Sequence, residues 1–250
     1  MRRTFVSLLW LAFTISIQGC NDEDEPCEDY RLTSQVDADG TKGGDLTFTY
    51  NADGTLQKVS GANQAEDNFS YDGAGQLIRV EKTREDEPKV AWLFYSDAKG
   101  RVISKYREDN FPGDSAIFEY DDNDRIIKVT HYGWGTKEIF FYYDVEYPDA
   151  STVKRTVYLR GQYTPELSLS VIHIYKIDNH PRPHPKEYYF ADDLLEQFIL
   201  PHNVLSKYMT GPTGVTFGEV ITHTYSYNGR GYPSVQDVVL KYVYECGDDL

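Results

Sequence analysis

The chain has 250 residues, with 40 Asp and Glu against 25 Lys and Arg and a formal net charge of −15. Such an excess of acid repels polyanions, so nucleic acid is not an expected partner. The length suits one large domain or two small ones, and 21 Tyr with 12 Phe can cover a wide sheet.

The first element is Met1 to Cys20. Arg2 and Arg3 open it, and Phe5 to Ile17 form an apolar run too short to span a bilayer. Ile15-Ser16-Ile17-Gln18-Gly19-Cys20 then places a small residue directly before a cysteine. This ending resembles the lipobox read by lipoprotein signal peptidase, with Gln18 where a smaller residue is usual. Residues 1–19 read as a lipoprotein signal peptide and Cys20 as the acylated start of the mature chain. The rival reading is an ordinary signal peptide with a coincidental cysteine. No later apolar run approaches the length of a spanning helix, so the lipid is the expected membrane link.

Residues 20–28 read as an acidic tether, because the four acids Asp22 to Glu25 cannot pack in a core. The run also resembles the acidic signal that sends some Gram-negative lipoproteins to the cell surface. The expectation is an outer-membrane lipoprotein facing outward, with the periplasmic face as the alternative. Cys27 and Cys246 either join the two chain ends in a disulfide, which this compartment permits, or remain thiols.

Residues 29–250 read as a single β-meander domain built by repetition. Phe48-Thr49-Tyr50-Asn51-Ala52-Asp53-Gly54-Thr55-Leu56 is answered by Phe69-Ser70-Tyr71-Asp72-Gly73-Ala74-Gly75-Gln76-Leu77. Phe118-Glu119-Tyr120-Asp121-Asp122-Asn123-Asp124-Arg125-Ile126 repeats it again. A looser copy runs from Phe94-Tyr95 through Gly100 to Val102 with one extra turn residue, and a late copy is Tyr225 to Pro233. Aromatics at i and i+2 share one strand face. The Asn/Asp-Gly cluster supplies the positive φ of a tight reversal, with Asp124 standing in for Gly. An apolar–polar return strand follows. One hairpin cannot bury its aromatic face alone, so the units must stack side by side.

These units resemble the YD repeats of Rhs-type proteins. With the lipobox, tether and late Tyr227-Asn228-Gly229-Arg230-Gly231-Tyr232-Pro233 segment, the chain resembles secreted bacterial lipoproteins of a porin-like-fold family without assigned function. The resemblance implies an all-β, antiparallel meander forming one large curled sheet or partial barrel, and transfers no catalytic residue.

After about residue 145 the pattern weakens. Val153 to Leu159, Leu167 to Ile177, Val215 to Tyr227 and Ser234 to Glu245 read as strands. Leu194, Leu195, Phe198 and Ile199 have helical spacing, repeated by Val204, Leu205, Tyr208 and Met209. One or two short helices are therefore expected near residues 191–210, laid over an open end or concave face.

Few residues point to chemistry. In His180-Pro181-Arg182-Pro183-His184-Pro185-Lys186-Glu187 the prolines exclude a helix that would bring both rings to one face. It reads as a stiff exposed loop in preference to a metal site. Asp121 to Asp124 and Asp37 to Gly40 lack the calcium-loop pattern and read as turns. Gly113-Asp114-Ser115 lacks the nucleophile elbow. No cofactor or metal is expected. Trp134, beside Tyr132 at an expected hairpin tip, is the first candidate contact residue. The reading is a non-catalytic binding or scaffold module for a glycan, peptide or envelope protein. The alternative is an envelope hydrolase, such as a glycosidase, with paired carboxylates on the concave face. A true membrane barrel is disfavoured by Gln57-Lys58 and Arg79 to Lys82 on faces that would meet lipid.

Overall fold

The computed structural model describes residues 30–40, 44–62, 65–108, 115–132, 138–161, 166–191 and 199–246. The signal peptide (1–19) and tether (20–28), with Cys20 and Cys27, lie outside them, as does Trp134. Among these residues, seventeen strands and one helix follow in chain order. The first five are β1 (Tyr30–Asp37), β2 (Leu46–Tyr50), β3 (Leu56–Ser60), β4 (Glu66–Tyr71) and β5 (Leu77–Thr83). Next come β6 (Val90–Ser96), β7 (Val102–Arg107), β8 (Ser115–Tyr120), β9 (Ile126–Tyr132) and β10 (Ile139–Asp149). Then follow β11 (Thr152–Arg160), β12 (Leu167–Ile177), α1 (Lys186–Ala191) and β13 (Val204–Thr210). The chain finishes with β14 (Thr216–Thr222), β15 (Tyr225–Tyr227), β16 (Pro233–Gln236) and β17 (Leu240–Cys246).

All strands belong to one antiparallel sheet in which each pairs with the next along the chain, except β14 and β15, which run the same way with only His223 and Thr224 between them and pair with β13 and β16. β1 lies between β2 and β17, joining the two ends of the meander. The result is the expected curled sheet.

The hairpins share one turn. Asn51, Asp72, Asp97 and Asp121 each donate their N–H to the carbonyl four residues on and accept from the N–H three residues on. Gly211 and Asn228 do the same. This is a three-residue loop closed by a left-handed residue. Gly54, Gly75, Gly100, Gly214 and Gly231 have positive φ, and Asp124 takes the same place at φ 60°. The Asp72, Asp97, Asp121 and Asn228 side-chain oxygens also accept two backbone N–H groups, at 2.9 to 3.0 Å. An acid or amide at that position therefore holds the reversal from inside.

The Gly100 turn corrects one expectation. It contains no extra residue: Asp97, Gly100 and Arg101 match Asp121, Asp124 and Arg125 bond for bond. The residue in the tyrosine position is Ser96, while Tyr95 points outward, 49% exposed, and stacks on Tyr106.

Phe48, Phe69, Phe94 and Phe118 fill the concave face with Leu56, Leu77, Val102 and Ile126. Tyr188 of α1 packs on Phe48 and Phe190 on Phe118, each at 5.6 Å between ring centroids. On a flat sheet β2 and β8 would stand about 29 Å apart at ~4.8 Å per strand. Two side chains of one helical turn touch both, so the sheet is rolled round the helix.

Of the one or two short helices expected near 191–210, the first falls on residues 192–198, which lie outside the described residues; α1 precedes that range and ends at Ala191. Residues 204–210 are strand β13 instead. They pair with β12 on one side and β14 on the other, and Gly211 to Val215 is another copy of the repeat turn. Hydrogen bonds on both edges outweigh a local pattern that suited a helix.

The repeat tyrosines have a second role. Tyr50 Oη donates to the Leu32 carbonyl, Tyr71 to Leu56, Tyr120 to Val102 and Tyr147 to Ile126, at 2.7 to 3.0 Å. Burial raises all four phenol pKa values, so the hydroxyls stay protonated as donors. Tyr120→Phe should cost about 1 kcal/mol by leaving the Val102 carbonyl without this donor, lowering the melting temperature by about 2–4 °C. An unchanged melting curve would show that the hydroxyl is not needed.

Candidate functional site: cavities on the concave face

Cys246, which ends β17, is disulfide-bonded. Tyr132 closes β9 in the ladder between Ser115 and Ile139, half-buried, and lines none of the cavities described below. Ser115 opens β8, with 113 and 114 outside the described residues. Asp121 and Asp124 belong to the turn just described.

The segment from His180 to Glu187 corrects the sequence reading most. It is only partly exposed: Pro181 and Lys186 face solvent, while Arg182 to Pro185 are half-buried and lead to α1 on the concave face, with the helix starting directly after Pro185. Proline suits that boundary because the first helical turn leaves its N–H groups unpaired anyway. The two histidines go separate ways. His180 stacks on Tyr227 at 4.0 Å and its Nδ1 lies 3.1 Å from the Gly231 carbonyl. His184 Nε2 lies 2.9 Å from Gln35 Oε1, and its Nδ1 lies 3.2 Å from Tyr189 Oη. Since an amide oxygen only accepts, Nε2 carries the hydrogen and Nδ1 accepts from the tyrosine.

Around this segment lies a cavity of about 430 Å³. Arg182 sits 3.5 Å above the Tyr189 ring and donates to the Leu200 carbonyl at 3.1 Å. Tyr242, opposite, donates to Gln236 at 2.8 Å. His223, also in the lining, pairs with Asp237 at 2.7 Å. Burial, then the Arg182 charge, holds His184 down at about 3, so the ring is neutral. Burial likewise lowers Arg182 and raises Tyr225 and Tyr242.

The larger cavity, about 630 Å³, opens at the turn end of β5 to β9. Leu77, Val102, Ile126 and Phe190 make its floor with Ile199 and Leu200. Its wall is cation and ring in alternation. Arg101 lies 4.7 Å over Tyr120 and Arg125 lies 4.3 Å over Tyr147. Arg101 is held by Asp97 at 2.6 Å and Asp124 at 2.7 Å, and Lys99 also reaches Asp124 at 3.3 Å. The hydrogen bond from Arg101 lowers Asp97, and the Asp97 carboxylate raises Arg101. Lys186 and Glu187 stand at the rim, 3.9 Å apart. An apolar floor under fixed polar groups is the usual make-up of a small-ligand site, and the volume is in the usual range.

Sequence reasoning did not reach this site. The available signal was Ser96: aligning the copies on Gly54, Gly75 and Gly100 puts a serine where the others carry tyrosine.

His131 supplies a pH test. It stacks on Phe141 at 4.1 Å, and burial, then Lys105, holds it at about 3. Above pH 6.5 it is neutral folded or unfolded. As pH falls from 6.5 toward 3 the unfolded chain takes up a proton the native ring refuses, so stability drops by roughly 1 kcal/mol per pH unit from this residue. His131→Phe keeps the ring stack, so its stability relative to the parent should rise by about that amount between pH 6 and 5 in urea melts. Parallel pH profiles would refute the assignment.

No family model matches the sequence, and no curated protein matches it. Among solved structures, the chain resembles a porin-like protein from Bacteroides uniformis, with TM-score 0.56 and 11% identity over 88% of this chain and 98% of that one. A Bacteroides fragilis protein of unknown function aligns at TM-score 0.30 and 13% identity, covering 64% of this chain and 93% of that one. The TcdB2-TccC3-Cdc42 structure aligns at TM-score 0.33 and 13% identity, covering 83% of this chain and 11% of that one. What the chain shares with the porin-like protein is its fold: an antiparallel sheet of many strands in one curl.

Proposed function

We propose that this protein is a non-catalytic envelope lipoprotein, anchored through lipid on Cys20 and carrying a small-ligand binding module on its concave face. It groups with the secreted lipoproteins built from YD-like repeats, and the Cys20 lipid with its acidic tether places the module on the outer membrane, facing outward. The ends of the domain are tied by a Cys27–Cys246 bridge. The observation that carries the binding role is the cavity of about 630 Å³, with an apolar floor and guanidinium–tyrosine walls fixed by Asp97, Asp121 and Asp124. Such walls are preorganised, so a ligand does not have to order them. A glycan or peptide with one flat apolar face and polar edges fits that chemistry.

Two measurements test this. Mass spectrometry of the mature N-terminus should find an acylated Cys20; an unmodified start elsewhere would remove the anchor. The detergent-solubilised mature protein should be retained by a polysaccharide in affinity electrophoresis or by a peptide on an array. Arg101→Ala should weaken that retention about tenfold while changing stability by under about 1 kcal/mol, because its ion pairs lie near the surface. Failure to retain any polysaccharide or peptide would defeat the binding role.

A further inference from the structure

Four junctions between successive hairpins end in the same register. The β3–β4 ladder stops at Lys58↔Asn68, β5–β6 at Arg79↔Leu93, β7–β8 at Ser104↔Ile117 and β9–β10 at Lys128↔Asp144. In each, the return strand begins two residues earlier, at Leu56, Leu77, Val102 or Ile126. Three residues beyond each last paired partner stand Tyr71, Ser96, Tyr120 and Tyr147. At three junctions the strands splay, and the tyrosine ring fills the wedge and donates to the carbonyl opening the return strand. At β5–β6 the tyrosine is replaced by Ser96, and no tyrosine among the described residues donates to the Leu77 carbonyl.

The 630 Å³ cavity lies on that wedge, with Gln76, Leu77, Ser96, Gly100 and Arg101 in its wall. A second hollow of about 390 Å³, reaching the outward residues Ile78 and Tyr95, shares Gln76, Leu77 and Ser96 with it. The wall is therefore thinned from both sides at this junction. The Ser96 Oγ is buried and has no hydrogen-bond partner among the described residues. At two of the filled junctions the residue before the acceptor, Arg101 or Arg125, lies over the tyrosine ring; at β3–β4 that residue is Thr55, and here it is Gln76.

We propose that the β5–β6 wedge is a binding seat for a para-substituted phenol, the side-chain chemistry of tyrosine, whose ring enters where residue 96 lacks one and whose hydroxyl donates to the Leu77 carbonyl. This deepens the binding role above and rests on it. The seat is a copy of three filled ones, so its shape and its acceptor are already matched to that group. A ring without the hydroxyl leaves the carbonyl unmet, and a saturated sugar is too thick for a wedge that closes on a flat ring elsewhere.

The test is calorimetric titration of the mature protein in detergent with p-cresol, toluene and N-acetyltyrosinamide. p-Cresol should bind, with toluene roughly fivefold weaker for want of one hydrogen bond. Ser96→Tyr should fill the seat from within, abolish p-cresol binding and raise the melting temperature by about 2–4 °C. Ser168→Tyr, at an exposed position of β12 that lines neither cavity, should bind p-cresol as the parent does, which separates seat filling from the effect of an added tyrosine. N-acetyltyrosinamide binding would support a peptide tyrosine as the source, and its exclusion beside p-cresol binding would support a free phenol. Absence of p-cresol binding, or binding that survives Ser96→Tyr, would overturn the proposal. Retention of a glycan together with no p-cresol binding would leave the binding role standing and remove only the phenol seat.

Discussion

A buried carbonyl that loses its ladder partner must find another donor, and the architecture follows from how this chain supplies one. Rolling a meander into a curl makes its junctions splay at the turn end, because a left-handed residue and a register shift tighten each hairpin there. The carbonyl opening every return strand would be stranded, at a cost of about 1–3 kcal/mol each. A tyrosine three residues past the last pair meets two needs at once: its ring fills the wedge and its hydroxyl reaches the carbonyl. The acid or amide after it then closes the turn. The Tyr-Asp pairs at Tyr71-Asp72 and Tyr120-Asp121 are thus a junction closer joined to a turn closer.

The late copy of the repeat differs. β14 and β15 run the same way with only His223 and Thr224 between them, passing the sheet from β13 to β16, and Tyr227 is not given a backbone carbonyl there. Its hydroxyl instead donates to the Asp178 carboxylate, and its ring stacks on His180. Asn203 donates to the same carboxylate at 3.0 Å, tying the inner segment to the start of the region that leads into β13. A side-chain acceptor thus stands in for the carbonyl that the other repeat tyrosines use. β14 itself remains exposed along its whole length, as expected of a strand with a partner on one side only.

How much of this was legible in the sequence depends on whether the controlling interactions were local. The turns were, because Asp72 to Gly75 or Asp121 to Asp124 carry their own hydrogen bonds within five residues, and φ 60° at Asp124 agrees with the reading of Asp as a glycine substitute. The inward Phe at each copy was legible from alternation alone. Ser96 was misplaced because Tyr95 beside it drew the alignment, although Gly100 held the true register. Residues 204–210 suited a helix until the free edge of β12 claimed them. For 180–187 no local signal exists: prolines and charges look exposed, and only the distant Gln35, Tyr225 and Tyr242 enclose them. The candidate site inherits that difficulty, since its walls come from three hairpins and one inner segment.

The inner segment also explains why a curled sheet this wide keeps a packed core while retaining space at one end. Phe48 and Phe118 close on Tyr188 and Phe190, so α1 is the wedge that sets the radius of the curl. Beyond it, Ile199 and Leu200 cap Tyr147, whose hydroxyl is shared between the Ile126 and Ile199 carbonyls at 3.0 Å each. That shared hydroxyl fixes the far wall of the larger cavity to β9 and β10. The near wall at β5 and β6 has no such clamp, because the residue that would provide it is serine. A rigid wall facing an unfilled one is the arrangement in which an incoming ring gains contacts on both sides without first displacing a side chain that belongs there.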